Sequence, residues 1–158
     1  RMARRVCFEL LALAAQSDDD ITLFINSQGG HVEAGDSIHD IIRFIKPRVK
    51  VVGTGWVASA GTHIFLAADT ADRYCLPNTR FLIHQPSGGV GGQASDIAIQ
   101  AEEIIKMRER LARIIATQTG QKIEQVRVDI ERDNWMTAKE AISYGICNKM
   151  IASVSELV

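Results

Sequence analysis

The feature that most restricts this fold is a unit used twice: a short apolar strand, a glycine-bearing turn, then an amphipathic helix. Ile21-Thr22-Leu23-Phe24-Ile25-Asn26 is rich in β-branched and aromatic residues and runs into Gln28-Gly29-Gly30. Glu33 to Lys46 then carries Ala34, Ile38, Ile41, Ile42 and Ile45 on one helical face, and Pro47 stops it. Val49 to Gly53 reads as the second strand and Ala58 to Ala68 as the second helix. Two such units in succession lay their strands side by side in parallel with helical crossovers, so the expected class is α/β.

The rest of the chain fills in around that pair. Arg1 to Gln16 has a helical pattern with no N-cap before it, as though an element were entered partway. Arg73 to Leu76 and Phe81 to His84 read as short strands divided by Pro77-Asn78-Thr79. Pro86 to Gly92 is too rich in glycine to hold one shape unless something pairs with it. Ala94 to Thr119 is the longest helix pattern, about 26 residues and so roughly 39 Å. That is more than one small body usually covers, and part of it is expected to project and pack on another subunit. Gly120 suits its C′ position, and helices at Ile123 to Glu131 and Thr137 to Tyr144 follow, the second closed by Gly145. At 158 residues the chain suffices for one core, so residues 1–158 are expected to form a single domain.

Charge and cysteine content exclude several classes. Eighteen basic against nineteen acidic residues give a net charge of -1, which supplies no field to hold nucleic acid or an anionic membrane. Val51 to Ala68 carries no charged side chain, but its three glycines, with Thr54, Ser59, Thr62 and His63, make a poor lipid-facing helix. Cys7, Cys75 and Cys147 are odd in number and far apart, with no C-x-x-C. They fit neither a disulfide framework nor a zinc site, and point to a reducing compartment, the cytoplasm or an organelle matrix.

Ser59 is the strongest candidate nucleophile, because it follows a strand and glycine turn at the start of a helix, where backbone N–H groups and the helix dipole favour an oxyanion. A serine there is also a natural N-cap. A base must come from His31, His39, His63 or His84. His63 falls on the same helix face as Ser59, while His84 ends a buried-looking strand beside the glycine run; either can be structural. Carboxylates are too many to choose among by spacing, and Asp133 stands out because Trp135 would shield its bond to an imidazole. Gly29-Gly30 suits an oxyanion hole or a phosphate cradle, but the phosphate-loop and dinucleotide patterns are missing. His31-Val32-Glu33 matches half of a zinc deaminase signature; the P-C-x-x-C half is missing, and no metal site is assigned.

Taken together, Phe24-Ile25-Asn26-Ser27-Gln28-Gly29-Gly30, Ala58-Ser59-Ala60-Gly61, Cys75-Leu76-Pro77-Asn78, Ile83-His84-Gln85-Pro86, Gly92-Gln93-Ala94-Ser95-Asp96-Ile97 and Glu131-Arg132-Asp133 resemble ClpP, the proteolytic subunit of the Clp protease. The likeness runs in order along nearly the whole chain. It implies a ClpP/crotonase-like ββα spiral with a projecting handle helix, and a serine endopeptidase that cuts unfolded polypeptide through an acyl-enzyme. It assigns the nucleophile to Ser59, the base to His84 and the orienting acid to Asp133, with oxyanion donors at the N–H groups of Gly30 and Ala60. Substrate would lie extended between Gly30, His31 and Val32 on one side and Pro86, Ser87, Gly88 and Gly89 on the other. Two stacked heptameric rings are implied, with Gln93, Glu131 and Arg132 at ring contacts. An AAA+ unfoldase such as ClpX, ClpA or ClpC would consume ATP, leaving this subunit without a cofactor of its own.

Some features depart from the family pattern. The N-terminal axial loops have no counterpart in this sequence, Ala60 replaces a common methionine, and Gly55-Trp56-Val57 replaces the commoner Gly-Gln-Ala. The last of these, at Trp56, points toward a divergent paralogue that works in a mixed ring. Two other readings stand beside the peptidase: a poorly active structural subunit of a mixed Clp complex, and a crotonase-type acyl-CoA enzyme.

Overall fold

The computed structural model describes residues 1–157; Val158, the last residue of the expected 1–158 unit, lies outside the described residues. The chain runs α1 (Met2–Gln16), β1 (Ile21–Ser27), α2 (Val32–Phe44), β2 (Val49–Ala58), α3 (Ala60–Phe65), β3 (Arg73–Cys75), β4 (Arg80–Ile83), α4 (Ala94–Thr119), α5 (Ile123–Asp129), β5 (Asn134–Thr137), α6 (Ala138–Tyr144) and β6 (Lys149–Met150). One sheet holds all six strands in the order β5-β4-β2-β3-β6, with β1 on β2. Every pairing is parallel except β4 with β5. The expected α/β class with a parallel sheet is what the chain adopts.

β2 is the axis of the fold, and it is longer than its sequence pattern indicates. Instead of ending at Gly53, it continues to Ala58, and the helix after it starts at Ala60. The reason lies in its neighbours. β1 runs along one edge, while the opposite edge meets β3 at Val51 to Gly53 and then β4 at Trp56 to Ala58. Gly53 sits where these neighbours converge: a Cβ there would come within 3.1 Å of Val57 Cγ2, 3.2 Å of Thr79 Cγ2 and 3.3 Å of Phe81 Cζ. The glycines read from sequence as a turn are thus strand residues that admit close packing and a bulge opposite Asn26.

The core is continuous with this strand. Val51, Val57, Phe65, Leu66, Phe81, Val126, Ile130 and Ile146 are fully buried. α1 packs on α2 and α2 on α3, with Leu10, Ile38 and Ile42 turned inward. Arg73 is also fully buried and closes three helix ends: it donates to the carbonyls of Ala68 and Gly145 and to both the carbonyl and side chain of Gln118. The uncharged run Val51–Ala68 resolves into β2, α3 and the turn after it, and among the described residues no helix is long and apolar enough to cross a membrane.

α4 has the bounds its periodicity predicts, Ala94–Thr119, ending on Gly120 in the left-handed region. Only Ala112 and Ile115 of its 26 residues are buried. Its N-terminal half stands away from the body, as expected of a projecting handle. β5 and β6, four and two residues long, escaped the sequence pattern because strands this short carry too few alternations to register.

Candidate active site

The ends of three neighbouring strands build the site. In the parallel pair of β2 and β4, Ala58 lies opposite Leu82, so Ser59, one residue on, and His84, two residues on, emerge within reach of each other. In the antiparallel pair of β4 and β5, Ile83 lies opposite Asn134, which puts His84 and Asp133 one step past the last rung and face to face. Ser59 Oγ is 2.7 Å from His84 Nε2, and His84 Nδ1 is 3.1 Å from Asp133 Oδ1. A carboxylate at Nδ1 can only accept, so the ring hydrogen sits there and Nε2 is left to accept from the serine hydroxyl.

Ser59 occupies the N-cap position of α3, but its side chain makes no capping bond. Its backbone has φ 55° and ψ −117°, making it the only described non-glycine residue with positive φ. Such a conformation costs on the order of 1–3 kcal/mol and persists only where the surroundings over-determine it. Here Ser59 N donates to Leu82 O at 3.0 Å, and the buried Thr62 Oγ1 lies 2.8 Å from the carbonyls of both Val57 and Leu82. The helix is pinned to β2 and β4, and the hydroxyl turns outward to His84.

The glycine pair after β1 closes over this turn. A Cβ on Gly29 would lie 2.7 Å from Ser59 Cβ and 2.8 Å from Ala58 O, so only glycine admits the approach. Gly30 follows Gly29 in the chain, and Ala60 follows Ser59 as the first residue of α3. Beside Ser59 opens a largely apolar cleft lined by Val32, Ala60, His63, Pro86, Leu111 and Ile115. A second cleft, lined by Gly30, His31, Val32, Pro86, Ser87, Ile104 and Met107, brings the two expected substrate segments together. Gly88 and Gly89 lead away from it, exposed and without regular structure.

The family model described as Clp protease matches residues 1–154. Proteolytic subunit 3 of the ATP-dependent Clp protease of Rhizobium meliloti (strain 1021) is 59% identical over 156 residues, covering 99% of this chain and 80% of that protein. The chain belongs to the Clp protease family. Proteolytic subunit 2 from Pseudomonas aeruginosa is 55% identical over 157 residues, covering 99% of this chain and 78% of the other. A mutant of ClpP1 from Listeria monocytogenes superposes with a TM-score of 0.94 at 56% identity, over 99% of this chain and 88% of that one. This Clp protease chain is therefore a serine protease subunit with the ClpP fold, and the acyl-CoA reading is not favoured.

One sequence expectation needs correction within the Clp protease fold. Trp135 does not shield Asp133, whose side chain is 66% exposed in the single chain. Trp135 instead stacks on Trp56, with ring centroids 6.4 Å apart, and receives Arg80 over its face. Trp135 pairs with Leu82 on β4, and its ring is taken up by Trp56 and Arg80, further along the sheet from His84. Of the two histidines left open, His63 faces away from the triad into a bond from Nε2 to Asp36 Oδ1 at 2.8 Å, and its ring stacks on His39. Of the expected ring-contact residues, Glu131 binds Arg108 within the chain at 2.7 Å, Arg132 is exposed, and Gln93 caps α4 by position without a side-chain bond. Sequence reasoning passed over Thr62, Asp36 and Arg110. Nothing local marks them, because each acts across elements distant in the chain.

Proposed function

We propose that Ser59 is the nucleophile, His84 the general base and Asp133 the group that orients it. As His84 Nε2 takes the hydroxyl proton, Ser59 Oγ attacks the scissile carbonyl, and the N–H groups of Gly30 and Ala60 receive the developing oxyanion. The same proton then passes from His84 to the leaving amine, and water releases the acyl group by the reverse sequence. No cofactor enters these steps. The observation that carries this reading is the unbroken run of hydrogen bonds from Ser59 through His84 to Asp133, beginning at a serine held in a strained backbone with its cap role unused.

Substrate would be an extended, unfolded polypeptide lying along the Gly30–Val32 segment and the Pro86–Gly89 segment. Backbone pairing of that kind selects weakly among sequences. The working particle in this reading is two stacked seven-membered rings of this subunit or of this subunit with a paralogue, fed by an ATP-consuming AAA+ unfoldase in the cytoplasm. The exposed handle helix and the paralogue numbering among the relatives support it. Three free thiols accord with a reducing compartment.

The test is Ser59→Ala. The variant should assemble with the native mass and lose roughly 10⁴-fold or more of its peptidase rate. A fluorophosphonate should label the wild-type particle at Ser59 and leave the variant unlabelled. Unchanged turnover in the variant would end the proposal; a wild-type particle that takes no label would instead favour a structural subunit.

A further inference from the structure

Beneath the nucleophile helix lies a second set of polar side chains that the triad does not use. Asp36 of α2 takes a two-pronged bond from Arg110 of α4, Nη1 to Oδ1 and Nη2 to Oδ2, each 2.8 Å. The same Oδ1 accepts from His63 Nε2 at 2.8 Å. Burial acts to raise the Asp36 carboxyl, yet Arg110 and His63 together carry it below the ordinary carboxylate value, so it is the acceptor in both bonds. His63 is fixed at three further points. Its ring stacks on His39 at 4.3 Å and 9°, its carbonyl accepts from His39 Nδ1 at 2.8 Å, and its own N–H donates to the Ser59 carbonyl at 3.1 Å. That last bond closes the helical turn that opens on Ser59. A Cβ on Gly35 would come within 3.3 Å of Ala60 Cβ and 3.5 Å of His63 Cδ2, so α2 meets this turn without slack.

The handle therefore reaches the nucleophile through one carboxylate. As stabilising glue the arrangement is weak: Arg110 is 46% exposed and Asp36 25%, a setting in which ion pairs add little. As an orienting device it is strong, because a forked guanidinium–carboxylate bond fixes direction as well as distance. We propose that Asp36 is a positioning residue: by joining Arg110 of the handle to His63 of the nucleophile helix, it makes the attack geometry of Ser59 depend on how the handle base is seated. This rests on the peptidase reading of Ser59.

The test is Asp36→Asn in the assembled particle, isolated by size and compared with wild type in steady-state peptide hydrolysis and in the rate of fluorophosphonate labelling. The amide keeps the shape of the side chain but turns an NH₂ toward one of its two donors. Expected is a fall of about ten-fold or more in kcat and labelling rate together, with KM within about two-fold of wild type. A structural role alone would lower Tm and leave both rates per particle unchanged. That outcome, or a change confined to KM, overturns the proposal. Should Asp36→Asn fail to assemble, Arg110→Lys carries the test, since it keeps the charge and loses the fork; wild-type rates in that variant overturn it equally. A wild-type particle without label at Ser59 overturns the peptidase reading and this proposal with it, whereas equal labelling of wild type and variant overturns the positioning role alone.

Discussion

His63 sits four residues after Ser59, and most of what surrounds it opposes a charge on its ring. Burial is the largest cause, and His39 of α2 and Arg110 of α4 add to it, while Asp36 acts the other way; the result is a pKa lowered from 6.5 to about 4. His39 is lowered as well, again chiefly by burial. Between the folded and ordinary values the unfolded chain binds more protons than the folded one, so stability rises with pH across this window. It is lost as pH falls from 6.5 toward 4. A shift from 6.5 to about 4 corresponds to ~3 kcal/mol, drawn on progressively through the window. Asp36, lowered from 3.8, titrates below it and does not contribute there. The expected outcome is a Tm of the assembled particle that drops between pH 7 and pH 4.5 more steeply in wild type than in His63→Gln, which retains an N–H donor for Asp36 but cannot titrate. Parallel Tm curves for the two proteins at equal protein concentration would rule out His63 as the acid-sensitive group.

Among elements, a second convergence, of helix ends, is centred on Arg73, which opens the short β3. The guanidinium is fully buried; burial pushes its pKa down to about 10 while the nearby Asp69 acts the other way, so it remains charged at neutral pH. Its partners are carbonyls at Ala68, Gln118 and Gly145, after α3, at the end of α4 and after α6. Helix C-termini carry partial negative charge, and one cation among three of them offsets its own desolvation. Arg73→Met would keep the volume and leave three carbonyl acceptors, one buried and two part-buried, without this donor. The expected loss is about 3 kcal/mol or more, read as a lower midpoint in urea at unchanged slope; a midpoint within error of wild type would show that the carbonyls find other donors. Arg73 was invisible in sequence, where an arginine opening a strand reads as surface. The helices α2, α4 and α6 were legible because an apolar stripe, a proline or a terminal glycine marks them within one window of residues. β5 was not: its four residues form a strand only because β4 offers an antiparallel edge. The triad shows the same division. Ser59 and His84 are flanked by glycine and strand signals, whereas the choice of Asp133 depends on a register between β4 and β5 that spacing alone does not supply.

At the scale of the whole molecule, the handle has no internal reason to be ordered along its full length. From Ala94 to Glu103 not one residue is buried, and the ion pairs of Lys106 with Glu102 and Glu103 are exposed and contribute little. A free helical segment of that length is marginal in water. Its composition points instead to a covered surface: Ile97, Ala101 and Ile105 recur at every fourth position, and Ile97 and Ile105 are 36% and 66% exposed. In the double-ring reading the opposite ring covers this stripe. Burying each isoleucine side chain contributes about 2 kcal/mol, and the same contact repeats in every subunit, so the rings separate or stay together as a unit. Replacing Ile97 and Ile105 by Asp puts two charges per subunit into that interface without touching the triad or the Arg110 fork. Native mass should then fall from the double ring to the single ring. Peptidase activity per subunit should fall with it, because the seat of the handle governs both Arg110 on the nucleophile side and Arg108, bound to Glu131, on the Asp133 side. Single rings that hydrolyse peptides at the full wild-type rate would separate assembly from activity and leave the handle a purely structural element; double rings that persist with both aspartates present would place the ring contact on another surface.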